Sequence, residues 1–408
     1  MARRIFLHIG TMKSGTTYLQ DFCDRNVDRL SEHGLLWNRS DRNFLAFDDL
    51  LGSSRSRPGV EGAWTVMSRR LCDHVGDALI SNELLAAAGS PRIEHVVEAL
   101  QPAEIHLVVT ARDLARVLPS QWETAVRNRH TVTWREFVTD VLAAETDRTQ
   151  YGAWFRARQH LPSIFHRWER YVDPDRITLV TVPQPGASPA VLAERFYSVL
   201  GIGVGDFEQP QLRNSSLGAH SAELVRRINV HTSDLDWHRH KWAVKNALAR
   251  QVLETRSADE PALGLSPDAH SCIRSLAMSM VEVVRKRQTR VVGDLQDLIP
   301  PIEPPQASSD PGEATADDLL AAAIQGLEGM SRIVSDLRIE YDSLARLARQ
   351  LIARDEREMA RDADLEVPVS LPSAVSPSGS GRAKQELAER IQRHLDRLEA
   401  FDQAAIFE

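Results

Sequence analysis

The sequence predicts an α/β fold: a mainly parallel sheet flanked by helices, followed by a helical, coiled-coil-like C-terminal tail. Three observations carry this. Short apolar runs of β-type residues recur, each followed by a helical pattern. A glycine-containing turn joins the first run to its helix. The 408 residues are 42% apolar and 26% charged, which is enough to bury a core. In chain order, Ile5-Phe6-Leu7-His8-Ile9 is a buried strand, with a helix expected from Thr17. Ala78-Leu79-Ile80-Ser81 is a short apolar strand, and residues 104–110 and 176–182 give two more. Helical patterns fill the gaps, for example around 154–171 and 190–200. Strands alternating with helices pair in parallel, and ligands bind at the carboxyl ends of such strands.

Charge divides the chain. Residues 1–300 carry 37 basic and 36 acidic residues, whereas 301–408 carry 12 and 21. All eight tryptophans precede residue 243. The boundary is the run Ile299-Pro300-Pro301-Ile302-Glu303-Pro304-Pro305. The organisation expected is therefore a domain over 1–300 and a Pro-rich linker over 301–317, then a heptad-patterned helix over 318–365. A flexible Pro/Ser/Gly linker over 366–382 and a C-terminal helix over 383–408 complete it. In the tail, Leu320, Ala323, Leu327, Met330, Val334, Leu337, Tyr341 and Leu344 repeat at alternating spacings of three and four. That seam suits a homo-oligomer or a helical partner, or an arm folded back on its own domain.

Several classes are excluded. No apolar run approaches the roughly 18 residues of a membrane span. The basic start leads straight into a strand, so it is read as no signal peptide. Cys23, Cys72 and Cys272 are too few and scattered for a disulfide framework or a Cys-rich zinc site. A reducing, cytoplasmic setting is expected, with no nucleic-acid partner.

The most informative stretch is His8-Ile9-Gly10-Thr11-Met12-Lys13-Ser14-Gly15-Thr16-Thr17-Tyr18. A loop that follows a strand and opens a helix gathers backbone N–H groups around one point, which makes an anion site. Gly10 and Gly15 have the G-x-x-x-x-G spacing of a P-loop, but Thr16 stands where the P-loop lysine belongs. The lysine lies inside the loop instead, as Lys13. A plain ATPase or kinase is disfavoured for that reason. A second nucleotide signal follows the strand at 104–110. Arg112 lies just past the strand end, where a guanidinium can hold a phosphate through two hydrogen bonds, and Ser120 follows eight residues later.

These two motifs resemble those of the sulfotransferases that use 3′-phosphoadenylyl sulfate (PAPS). Lys13-Ser14-Gly15-Thr16-Thr17 is similar to their 5′-phosphosulfate loop, usually Pro-Lys-Ser/Thr-Gly-Thr-Thr, with Met12 replacing the proline. The resemblance implies a P-loop-like fold over about residues 5–300. It implies that Lys13 contacts the oxygen bridging phosphate and sulfate, and that Ser14, Gly15, Thr16 and Thr17 cradle the 5′-phosphate. It implies that Tyr18 stacks on adenine, where the family usually has tryptophan. Arg112 and Ser120 match the family's 3′-phosphate motif. Arg213, in Leu212-Arg213-Asn214-Ser215-Ser216-Leu217-Gly218, is a further 3′-phosphate ligand or simply a surface arginine.

Transfer to a hydroxyl needs a base. Glu83, just past the strand at 78–81, is the expected one, since the family's glycan-modifying branch uses Glu at this point in the chain. Otherwise its carboxylate only starts the following helix, and His74 is the reserve. His8, inside the first strand, reads as a core residue. His231, His238 and His240 lack partners at metal-ligand spacing, and no metal is called for. Trp64, Trp122, Arg127 and Arg129 line an acceptor pocket or are packing residues. The functional expectation is PAPS-dependent transfer to a small-molecule or glycan hydroxyl. The alternatives are a P-loop kinase or NTPase, and a non-catalytic nucleotide-binding assembly protein.

Overall fold

Successive residues of a strand point to opposite faces, and here both faces are apolar. Ile5, Leu7 and Ile9 enter one core with Ile80, Leu107 and Leu179. Phe6 enters another with Leu79, Val108 and Val180. The strands are therefore sandwiched between two helical layers. The computed structural model describes residues 3–38, 40–52, 59–203, 205, 207–210, 216–304 and 308–363.

The strands are β1 (Arg4–His8), β2 (Leu35–Trp37), β3 (Asp77–Ser81), β4 (Glu104–Ala111), β5 (Ile177–Thr181), β6 (Ala262–Leu263), β7 (Arg290–Val292) and β8 (Ser308–Ser309). Six of them form one sheet in the order β2-β3-β1-β4-β5-β7, with every pairing parallel. β6 and β8 make a separate parallel pair. This is an α/β fold with a parallel central sheet flanked by helices. Helices Ala63–Asp73, Ser90–Ala99 and Leu161–Trp168 cover one face, through Trp64, Ile93, Phe165 and Trp168. Helices Thr16–Arg25 and Ala190–Leu200 cover the other, through Leu19, Phe22, Phe196 and Tyr197. A fully buried side chain of this size contributes about 1.5–3 kcal/mol, so these layers set the register of the sheet.

β1 is the pivot. From β1 the chain goes to β2 and β3 on one side, then crosses to β4 and β5 on the other. The switch point lies between the carboxyl ends of β1 and β4, where a ligand crevice forms in such sheets.

A third core joins helices Leu114–Arg127, Trp134–Leu142, Ala219–His231 and Pro267–Lys286 to a π-helix at Lys241–Val252. Residues 308–313, which the sequence places in a linker, dock on this part. β8 pairs with β6, and Pro311 is buried. The tail helix Ala316–Ala363 then lies against the π-helix. Its contacts use small residues. Ala322 is fully buried, and a Cβ on Gly329 would sit 2.5 Å from the Val252 side chain. Leu320, Leu327, Val334, Leu337 and Tyr341 of the heptad seam stay exposed. The segments 366–382 and 383–408 lie outside the described residues. No helix among the described residues is long and apolar enough to cross a membrane.

Candidate active site

Below the loop that follows β1, polar side chains from three strands are chained together. His8 Nδ1 lies 2.7 Å from Ser81 Oγ, and His8 Nε2 lies 3.0 Å from Thr110 Oγ1. Thr110 Oγ1 lies 2.7 Å from Ser14 Oγ, whose hydroxyl donates to the Thr11 carbonyl. One assignment of protons satisfies the whole row. Ser14 spends its proton on Thr11, so Thr110 donates to Ser14. Neutral His8 then donates from Nε2 to Thr110 and accepts at Nδ1 from Ser81. Gln20 Nε2 donates to Ser81 Oγ at 3.2 Å and closes the row. Burial pulls the His8 imidazole down to about 3, so it is neutral as this row requires. His8 is thus a core residue that holds the loop to the sheet.

Two backbone features shape the loop. Gly10 leaves no room for a side chain: an added Cβ would fall 2.2 Å from Thr110 Oγ1 and 2.8 Å from His8 Nε2. Gly15 has φ +90 and opens helix Thr16–Arg25, whose N-terminus carries no side-chain cap. Lys13 adopts a left-handed φ of 66, uncommon for a non-glycine residue. Gln159 Nε2, from helix Gln150–Gln159, donates to the Met12 carbonyl at 2.8 Å and braces the loop from the side.

A cleft of about 280 Å³ opens at the switch point. It is lined by Lys13, Gly15, Thr16 and Thr17 from the loop, by Arg112 and Ser120 after β4, and by Glu83 after β3. So the structure brings together most of the residues singled out from sequence. Glu83 opens a short 3-10 helix at Glu83–Ala87, capped by the Asn82 side chain. Burial raises its carboxyl above the ordinary range, and its own backbone N–H and the charge of Lys13 pull partly back. Arg112 is largely buried, its Nε has no hydrogen-bond partner, and burial lowers its guanidinium to about 10. Thr16 Oγ1 is likewise buried and unpartnered. An orphaned guanidinium nitrogen and hydroxyl beside a helix N-terminus without a side-chain cap are what a phosphate-bearing ligand would satisfy.

Not every predicted residue faces the cleft. The Ser14 hydroxyl turns inward, and its backbone N–H is engaged by Thr11 at 3.2 Å, so Ser14 shapes the loop. Tyr18 Oη donates to Gln209 Oε1 at 3.2 Å, and the ring packs beside the core of the helical layer. Arg213 lies outside the described residues. Trp64 and Trp122 are core residues, Trp122 donating from Nε1 to the Val132 carbonyl at 3.0 Å. Arg127 does border the cleft, buried between Glu123 and Glu254. Arg129 donates to the Ser233 carbonyl. His74 lies 3.4 Å from the Gly34 carbonyl and does not line the cleft. Buried His240 is paired with Asn229 at 2.8 Å, and no group of three metal-ligating side chains occurs among the described residues.

Sequence reasoning missed Arg116, Thr124 and Gln159. Arg116 and Thr124 fall on the face of helix Leu114–Arg127 that carries Ser120, and helical spacing from Arg112 would have found them. Gln159 reaches Met12 across 147 residues of sequence, and nothing local announces it.

No protein-family model matches the chain, and no curated protein matches it by sequence. Among solved structures, a sulfotransferase from Alicyclobacillus acidocaldarius is similar to it, with 16% identity and a TM-score of 0.35, covering 59% of this chain and 100% of that one.

Proposed function

We propose that this chain is a sulfotransferase that moves a sulfuryl group from PAPS to an acceptor hydroxyl. The observation that carries this reading is a single switch-point cleft lined by Lys13, Arg112, Ser120 and Glu83 together. When bound, PAPS supplies the sulfuryl group and leaves as adenosine 3′,5′-bisphosphate. Lys13 and the N–H groups at Gly15–Thr17 hold the 5′-phosphate end and neutralise charge on the bridging oxygen as its bond to sulfur breaks. Arg112 and Ser120 hold the 3′-phosphate, with Arg213 as a further candidate and Tyr18 beside the adenine. Glu83 takes the proton of the acceptor hydroxyl as its oxygen bonds to sulfur. Burial raises the Glu83 carboxyl, which makes its carboxylate a stronger base.

Two features count against the kinase or NTPase alternative. Thr16 replaces the phosphate lysine. Asp113, the carboxylate that follows β4, does not line the cleft and instead caps helix Leu114–Arg127 by accepting from the Arg116 N–H at 3.0 Å. The test is calorimetric. Adenosine 3′,5′-bisphosphate is expected to bind tightly without magnesium. Binding of ATP with magnesium, and of nothing else, would replace this reading with the kinase one.

A further inference from the structure

Of the carboxylates that the described residues place on the cleft wall, the proposed reaction uses Glu83 and leaves Glu123 without a role. A bare carboxylate there would repel a phosphate-bearing ligand. Glu123 is not bare. It is buried, and its Oε1 accepts from Arg127 Nη2, one helical turn on, and from the Leu217 N–H at 2.6 Å. Arg127 in turn donates from Nη1 to Glu254. Glu123 and Arg127 share the face of helix Leu114–Arg127 that carries Ser120 to the cleft. Hydrogen bonds between ionised groups are strong, and stronger where water is kept out.

The bond to Leu217 matters because of the residue before it. A peptide unit is planar, so fixing the Leu217 N–H also fixes the carbonyl end of Ser216. Ser216 is exposed and lines the cleft, whereas the Leu217 side chain is buried in the third core. From Gly218 onward other groups hold the chain. The Ala219 N–H donates to the Pro261 carbonyl and the Ser221 N–H to Glu260 Oε2, both at 2.8 Å. Glu123 therefore holds this segment at the point where it reaches the cleft. The outer carboxylate has its own anchor. Glu254 lies in the 3-10 helix Leu253–Arg256 and does not line the cleft. Arg256 donates to Gln325 Oε1 of the tail helix at 2.7 Å, and Val252 lies against Gly329. Contacts thus run from the tail helix through Glu254, Arg127 and Glu123 to the wall at Ser216.

We infer that Glu123 is a positioning residue of the cleft, setting the wall at Ser216, and that the tail helix supports this wall through Glu254 and Arg127. The identity of the nucleotide rests on the sulfotransferase reading, but the latch does not.

The test titrates full-chain variants with adenosine 3′,5′-bisphosphate and measures the denaturant midpoint of each. Glu123→Gln keeps an oxygen for the Leu217 N–H and is expected to keep most of the affinity. Glu123→Ala removes that oxygen and is expected to weaken binding about tenfold or more in protein that is still folded. Glu254→Ala, off the cleft, is expected to weaken it about threefold or more. The double variant is expected to bind no worse than Glu123→Ala, because both changes act through one wall. A role in stability alone would lower the midpoints and leave the affinities unchanged, and that result overturns the inference. Additive losses in the double variant overturn the route from the tail. If Glu123→Ala does not fold, Glu254→Ala decides, and unchanged affinity in it overturns the proposal. The donor reading fails by a different result, absence of bisphosphate binding to the wild type. The same variants are then titrated with ATP and magnesium, and binding of neither nucleotide overturns both readings.

Discussion

The carboxyl ends of β1 and β4 lie side by side, yet their polar groups are in opposite states. Beneath the β1 loop, His8, Ser81, Thr110 and Ser14 satisfy one another in a directed row. Past the end of β4, the Nε of the half-buried Arg112 is enclosed and orphaned. The first arrangement is finished without a ligand, and the second is not. Buried polar groups that are satisfied rigidify a site, and one left unsatisfied on the wall of a cleft is a candidate contact for a ligand. The row beneath the loop is therefore built for position, and Arg112, like the orphaned Thr16 hydroxyl of the loop itself, for contact. Lys13 and Glu83 share the cleft, and in the proposed reaction they carry the chemistry.

That division orders the expected effects. Glu83→Gln should lower the transfer rate by about 10²–10⁴-fold while bisphosphate binding stays intact. In the wild type the rate should fall as pH drops through the raised carboxyl value of Glu83, because the base must be ionised. That acid limb should vanish in the variant. Turnover at the wild-type rate would move the base elsewhere. Lys13→Ala should cost roughly 10²–10³-fold in rate, the scale of losing one charge-stabilising group in a transition state. Near-normal turnover would remove Lys13 from the donor site. Arg112→Ala should weaken adenosine 3′,5′-bisphosphate by about 10–100-fold and AMP much less. An equal loss for both nucleotides would mean that Arg112 is not reading the 3′-phosphate.

How much of this was legible in the sequence follows from the same physics. β1, β3, β4 and β5 were visible because each is a run of apolar residues bounded by turn signals. β2 and β7 were not, because three residues carry too little periodicity. The loop and Arg112 stood out because strand-loop-helix phosphate sites use local sequence. The inward turn of Ser14 was hidden, since it depends on Thr110 across 96 residues of chain. Gly326 and Gly329 carry no side chain to mark a contact in the sequence, yet in the structure their small size lets the tail helix approach Leu248 and Val252. Residues 308–313 read as linker from their composition, but β8 finds a partner strand that no local pattern reveals.

The smallest effect tests the finished side of the comparison, and it is read in stability. His8 is fully buried and has its imidazole held down to about 3, whereas an unfolded histidine titrates near 6.5. Between those values the unfolded chain binds a proton that the folded chain refuses. Folding stability from this group is therefore complete above about pH 6.5 and lost as pH falls through the window. At pH 5 the loss from His8 alone should be about 2 kcal/mol relative to pH 7, since each unit of difference is worth about 1.4 kcal/mol. Denaturant unfolding at the two pH values measures it. His8→Gln should be less stable than the wild type at pH 7, because the row from Ser81 to Thr110 is broken, yet it should lose less on acidification. The difference between the two slopes isolates His8 from the other buried histidines, such as His240. Parallel slopes would mean that the imidazole accepts a proton in place, and that the loop on β1 is not held by a neutral histidine.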